Sequence, residues 1–284
     1  RPELSVLYAW AMAKSGQLDD VEPCLQGVDT QTMKGEVAAV RAYVSGVHGN
    51  LSQAVELAQT ALANLPEENF HMRAIVTQNL GVAYHWIGDP SSAIQTLTKA
   101  VELTRLANQK FQTLTTLAIL GRAHEMQGNL HKAREIYQNA ITLGSEAGQE
   151  PVPFAGMAYV GMARLQYEWN DLEGAMYNAR EGIRLSKTGG FMAYQIFGYA
   201  ILARIYEAKG DHDQADEMLQ KAEWLGQGSE YDLVMALVAE MRVCMWIRQG
   251  NLTAADAWAR AHLLNSVDEL NAASEIEQIT VARV

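Results

Sequence analysis

The sequence is poor in the residues that interrupt or staple a chain: 6 prolines and 2 cysteines in 284 residues. So few prolines leave room for long helices, whose interiors proline breaks. Cys24 and Cys244 are too few to build a disulfide scaffold and read as free thiols of a reducing compartment. Basic residues are also short. There are 22 Lys and Arg against 33 Asp and Glu, a net charge of −11, and no Lys/Arg cluster longer than two or three residues. A surface that neutralises phosphates should be basic, so no direct contact with nucleic acid is expected. No apolar run approaches the roughly 18 residues of a membrane span, and Arg1-Pro2-Glu3-Leu4 is not a signal region. A cytoplasmic location without a membrane partner is expected.

What the chain has is a ruler. A short turn recurs with its first residue at Gly16, Gly49, Gly88, Gly128, Asn170, Gly210 and Gly250, in steps of 33, 39, 40, 42, 40 and 40. Five residues later stand Ala54, Ala93, Ala133, Ala175, Ala215 and Ala255, with Val21 in the opening copy. One turn per fixed period means an array of similar units. Helical patterns of about 15 residues flank each turn. Gly can end the first helix in the left-handed conformation, and Asp or Asn can cap the second. Asn50 and Asn251 also match glycosylation acceptors, but their place in the turn accounts for them.

These features predict an all-α chain, residues 1–284 forming a single right-handed solenoid of about seven antiparallel helix pairs. The links fall at 65–69, 144–153, 188–190 and 226–229. One more period puts the next turn near residue 290, so 275–284 reads as the first helix of a truncated eighth copy and the chain as an excised piece. Counting back from each turn, the seventh position is Ala9, Ala42, Gly81, Gly121, Ala163, Ala203 and Val243, small in six of seven copies and so suited to close helix approach. Tyr8, Leu80, Leu120, Met162 and Leu202 at the eighth position, and Tyr84, Tyr206 and Trp246 at the fourth, read as core on the same stripe.

The segment from Asn79 to Asp89, with small and aromatic residues before Gly88-Asp89 and Ala93 after it, resembles the tetratricopeptide (TPR) signature, whose period is about 34. The longer period here resembles the sensor region of the MalT-like, large ATP-binding LuxR-family transcription regulators. The likeness is carried by Arg1–Leu4 with Tyr8–Ala11 and Ser15–Leu18, by Gly35–Tyr43, and most specifically by Tyr167-Glu168-Trp169-Asn170-Asp171-Leu172. It implies a non-catalytic, effector-sensing region that receives a small polar inducer or a regulatory protein. Flanking domains would bind ATP upstream and promoter DNA downstream, with self-association of the full-length protein. This chain has no Gly-x4-Gly-Lys-Ser/Thr loop and no basic recognition helix, so no cofactor is expected in it. The alternative is a TPR scaffold that binds a peptide or helix of a partner.

In such superhelices the first helices line the concave face, and the positions ten, six, three and two before each turn point into it. The sixth position carries Trp10, Tyr43, Val82, Arg122, Arg164, Arg204 and Cys244, three successive arginines at one register. With them, Gln78, His85, Trp86, Glu125, Tyr167, Glu168, Glu207, Glu240 and Arg248 form the expected ligand-binding set. Arginine suits carboxylate or phosphate, glutamate accepts from hydroxyls, and aromatics stack on rings. Arg122–Glu125, Arg164–Glu168 and Arg204–Glu207 could instead simply pair within their helices. His124-Glu125 lacks a second His at metalloprotease spacing, and Asp211-His212-Asp213 lies in an exposed turn. Neither a metal site nor an enzyme is expected.

Overall fold

A computed structural model describes residues 2–28, 31–145, 150–228, 232–263 and 272–284, the side chains at 263 and 272–275 excepted. Among them every regular element is helical: α1 (Pro2–Lys14), α2 (Val21–Leu25), α3 (Lys34–Val47), α4 (Leu51–Asn64), α5 (Phe70–Ile87), α6 (Pro90–Leu106), α7 (Lys110–Met126), α8 (Leu130–Gly144), α9 (Gly156–Glu168), α10 (Leu172–Gly189), α11 (Met192–Ala208), α12 (His212–Gly226), α13 (Asp232–Arg248), α14 (Leu252–Leu263) and α15 (Ala272–Ala282). Short 3-10 turns occupy Leu18–Asp20 and Pro153–Ala155. The chain divides into two compact units, Arg1–Ala133 and Arg134–Val284.

The recurring turn is one hydrogen-bonded device. Gly16, Gly49, Gly88, Gly128, Gly210 and Gly250 have φ between 75° and 84°, and Asn170 takes their place at φ 60°. The next residue donates its N–H to the carbonyl five positions back in all seven copies, as from Asp89 to Tyr84 (3.0 Å) and from Asp171 to Gln166 (2.8 Å). This bond closes the end of the first helix as a Schellman motif. The second helix starts at once, because the Asp89, Asp171 and Asp211 carboxylates accept from the backbone N–H three residues on. Asn251 does the same in the last copy at 3.3 Å. Asn50 makes no such side-chain bond.

The first unit contains the hairpins α1–α2, α3–α4 and α5–α6, with α7 packed on α6. Its opening copy is the shortest, since α2 has only five residues and Gly27 follows at φ 84°. The second unit contains α9–α10, α11–α12 and α13–α14, with α15 against both α13 and α14. The first helices α9, α11 and α13 also touch in sequence along their sides. α15 covers most of the segment expected as an eighth first helix. The expected link at 188–190 is shorter than the sequence suggested. α10 continues through Gly189, and Gly190 alone turns left-handed at φ 73°.

The register holds in the packing. All seven residues at the seventh position before the turn are buried, the six small ones and Val243, and so is each alanine after it. Leu80, Leu120, Met162 and Leu202 are core, but Tyr8 is 58% exposed. In the first copy no earlier repeat covers that face within this chain, so a residue expected in the core lies open. The aromatics at the fourth position are half-buried wedges rather than core. Tyr84 Oη accepts from Gln59 on α4 at 3.4 Å, and Tyr206 Oη accepts from Arg180 on α10 at 3.0 Å. Each phenol thereby ties a first helix to the second helix before it.

Candidate functional site

In the first unit the expected site residues lie on α5 and α7. Gln78 is buried. Its amide accepts from Gln112 and from Thr116 (3.2 Å) and donates to Thr115 (3.4 Å), all on α7. It belongs to the seam between these first helices, because α7 covers it. That corrects its assignment to an open face, and His85, also buried, is corrected likewise. Trp86 is half-buried with its ring edge-on to His85, centroids 5.4 Å apart. Arg122 donates to Glu125 at 3.1 Å, the within-helix pair that the spacing allowed.

In the second unit the sequence builds its site from a missing side chain outward. A Cβ on Gly161 would stand 2.4 Å from the Tyr137 ring, so only glycine lets this α8 tyrosine lie flat against α9. Tyr137 is 1% exposed, and its hydroxyl accepts from Arg164, one helical turn beyond Gly161, at 3.2 Å. Tyr194 of α11 also adjoins the Arg164 charge. Burial pushes its hydroxyl up to about 12, a shift the Arg164 charge opposes.

One repeat on, Arg204 reaches back across the gap between α11 and α9. Its guanidinium lies 4.3 Å from the centre of the Tyr167 ring and donates to Glu168 at 3.0 Å. Arg204 therefore pairs between repeats and not with Glu207 of its own helix. Glu207 instead accepts from Gln249, the residue just past α13 (3.0 Å), and bonds His212 (2.8 Å). That bond is the main cause raising the His212 pKa above its ordinary value. The same stepping continues as Arg283 donates to Glu240 of α13. The chemistry is a ladder of charge-assisted bonds crossing from one first helix to the next.

The ladder opens at a cleft of about 270 Å³ bounded by α11, α13 and the residue after α15. Ala200 and Ala203 leave the space, Leu219, Met241 and Met245 floor it, and Arg204, Glu240, Arg248 and Arg283 ring it. Three expected site residues, Arg204, Glu240 and Arg248, thus meet here, with Tyr167 and Glu168 packed on Arg204 behind them. Cys244 lines the same cleft; both it and Cys24 are free thiols. Arg283, Tyr137 and Tyr194 were missed. Arg283 lies 39 residues past Cys244, one residue short of the position to which a 40-residue step carries the register. Tyr137 sits on a second helix, which that register does not read.

This arrangement offers cations, carboxylates and aromatic faces to a bound molecule. Among the described residues, no group of three or more His, Cys, Asp or Glu side chains could hold a metal ion, and no helix is long and apolar enough to cross a membrane.

A family model described as the MalT-like TPR region matches residues 35–284. The HTH-type transcriptional regulator MalT of Yersinia enterocolitica serotype O:8 / biotype 1B is 28% identical over 270 residues, which cover 91% of this chain and 30% of that protein. Its counterpart in Yersinia pestis strain Pestoides F is 26% identical over the same shares. The chain thus spans 30% of the length of these relatives. Among solved structures, NprR in complex with its cognate peptide NprX superposes with a TM-score of 0.72 at 11% identity, over 99% of this chain and 86% of that one. The apo form of RapI does so with 0.69 at 11% identity, over 100% and 99%. These likenesses show a TPR-like helical solenoid.

Proposed function

The chain belongs to the MalT-like TPR family, and from that premise we propose that it is the non-catalytic, effector-sensing region of a transcription regulator. It receives a small polar inducer or a regulatory protein on the first-helix face of its second unit. The observation that carries this reading is the cleft where Arg204, Glu240 and Arg248 converge. Polar groups gathered over an apolar floor are the usual make-up of a ligand pocket. The Arg204–Tyr167–Glu168 cluster beside it gives a ring or a polar group further partners. ATP binding and promoter recognition belong, on this reading, to other parts of the full-length protein, which acts in the cytoplasm and self-associates.

The test is the transcriptional response of the full-length regulator to its effector in an Arg204→Ala variant. Loss of the response with promoter binding and folding retained supports the proposal; an unchanged response refutes it.

A second reading has a specific observation in its favour. NprR is described with a peptide bound, and a Rap protein with a TM-score of 0.68 is described complexed with Competence and Sporulation Factor. A fold of this kind can therefore hold a peptide, and here the same face would take an extended or helical segment of a partner. Protection spreading from α9 to α15 on binding would favour the peptide; protection confined to the cleft would favour a small inducer.

A further inference from the structure

The cleft between α11 and α13 carries a charge pattern opposite to that of the chain. The protein as a whole is acidic, at −11. Yet the lining holds three guanidiniums, Arg204, Arg248 and Arg283, and one carboxylate, Glu240. Two of the arginines are already matched, Arg204 by Glu168 and Arg283 by Glu240. Arg248 is exposed, and its guanidinium forms no hydrogen bond or ion pair among the described residues. It is the cation at the rim that a ligand can neutralise without breaking an existing pair.

The floor has a different character. Met241, half-buried, is the main apolar surface of the floor, with Met245 at 4% exposure beside it and Leu219 fully buried beneath, and methionine's unbranched thioether adapts its shape to what it meets. A ligand that satisfied only Arg248 would leave this floor wet, and a purely apolar one would leave Arg248 uncompensated. Resting on the reading of this face as the sensing surface, we infer that the cleft binds an anion joined to an aliphatic body. The anionic group, a carboxylate or a phosphate, engages the Arg248 guanidinium, and the aliphatic part lies on Met241 and Met245. Arginine's planar fork suits either oxyanion.

Cys244 supplies a local readout, because its thiol lines the same cleft. In the full-length protein, alkylation of Cys244 would be followed by mass spectrometry with sodium hexanoate, hexyl phosphate, acetate, inorganic phosphate or hexanol present. Hexanoate or hexyl phosphate should slow the reaction about threefold at twice its Kd, as simple occupancy requires. Whichever of the two protects identifies the oxyanion. Protection should vanish in Arg248→Ala and return in part in Arg248→Lys, with both variants melting like the wild type.

No protection by either amphiphile overturns the inference. So does protection that persists in Arg248→Ala, equal protection by hexanol, which would leave the anion no role, or equal protection by acetate and inorganic phosphate, which would leave the floor none. The transcriptional response of Arg204→Ala fails or succeeds independently. Probe protection with an unchanged response would remove the sensing role and leave the binding chemistry standing.

Discussion

Arg204 donates to Glu168, thirty-six residues earlier, at 3.0 Å. An arginine at a repeating register thus pairs with the preceding repeat and not with the glutamate three residues along its own helix. The bond lies at the surface, with side-chain exposures of 27% and 49%. Partly exposed pairs contribute only about 0.2–1 kcal/mol.

The first prediction follows from that small magnitude. Arg204→Ala should shift the chemical denaturation midpoint only slightly, and a double-mutant cycle with Glu168→Ala should give a coupling of under about 1 kcal/mol. A much larger coupling would make the ladder a stability device and weaken its claim to ligand binding.

Gly161 is the opposite case. Its missing side chain is what admits Tyr137, so Gly161→Ala should overpack the α8–α9 contact and destabilise the protein by about 1–3 kcal/mol. Urea denaturation measures the loss. Gly161→Ala combined with Tyr137→Phe should recover little, since the clash is with the ring, whereas Tyr137→Leu should recover more.

Arg242 tests a buried charge. It is 6% exposed, bonds both oxygens of Glu223 at 2.9 and 3.0 Å, and pairs with Asp216. Arg242→Ala removes the cation from two partly exposed α12 carboxylates and opens space beneath them, so a loss of about 1–2 kcal/mol is expected from two screened pairs and the lost packing of the arginine stem. A denaturation midpoint within error of the wild type would contradict the packing described.

The pH dependence of His212 has a definite sign. Its hydrogen bond to Glu207 raises the folded pKa above the ordinary 6.5. The contribution to stability is therefore fully present below that value and is lost as pH rises through the folded pKa. An NMR titration should place His212 above 6.5, and Glu207→Gln should bring it back down. A midpoint at or below 6.5 in the unaltered protein would refute the bond.

How much of this was legible in the sequence depended on the turn. Its backbone geometry repeats because glycine, or asparagine at residue 170, is tolerated at positive φ. The helix pairs and the buried small residues follow from counting outward from it. Arg204, Glu240 and Arg248, all named by that count, line one cleft. The count failed where neighbours decide the outcome. Gln78 and His85 share the register of open positions but are buried, Gln78 beneath α7. Tyr8 shares the register of the core but is 58% exposed, with no earlier repeat within residues 1–284 to pack on it. Arg164 finds Tyr137 on a second helix, a contact for which a one-helix periodicity holds no signal. Register assigns a direction, and the adjacent repeat decides whether that direction is filled.

The central claim is that the first-helix face of the second unit is the sensing surface. Hydrogen exchange of the full-length regulator, measured with and without the effector that switches its transcription, tests it most directly. Slowed exchange should appear in Met192–Ala208 and Asp232–Arg248, the helices that bound the cleft. Slowing confined to the second helices His212–Gly226 and Leu252–Leu263, or absent from 134–284 altogether, would contradict it.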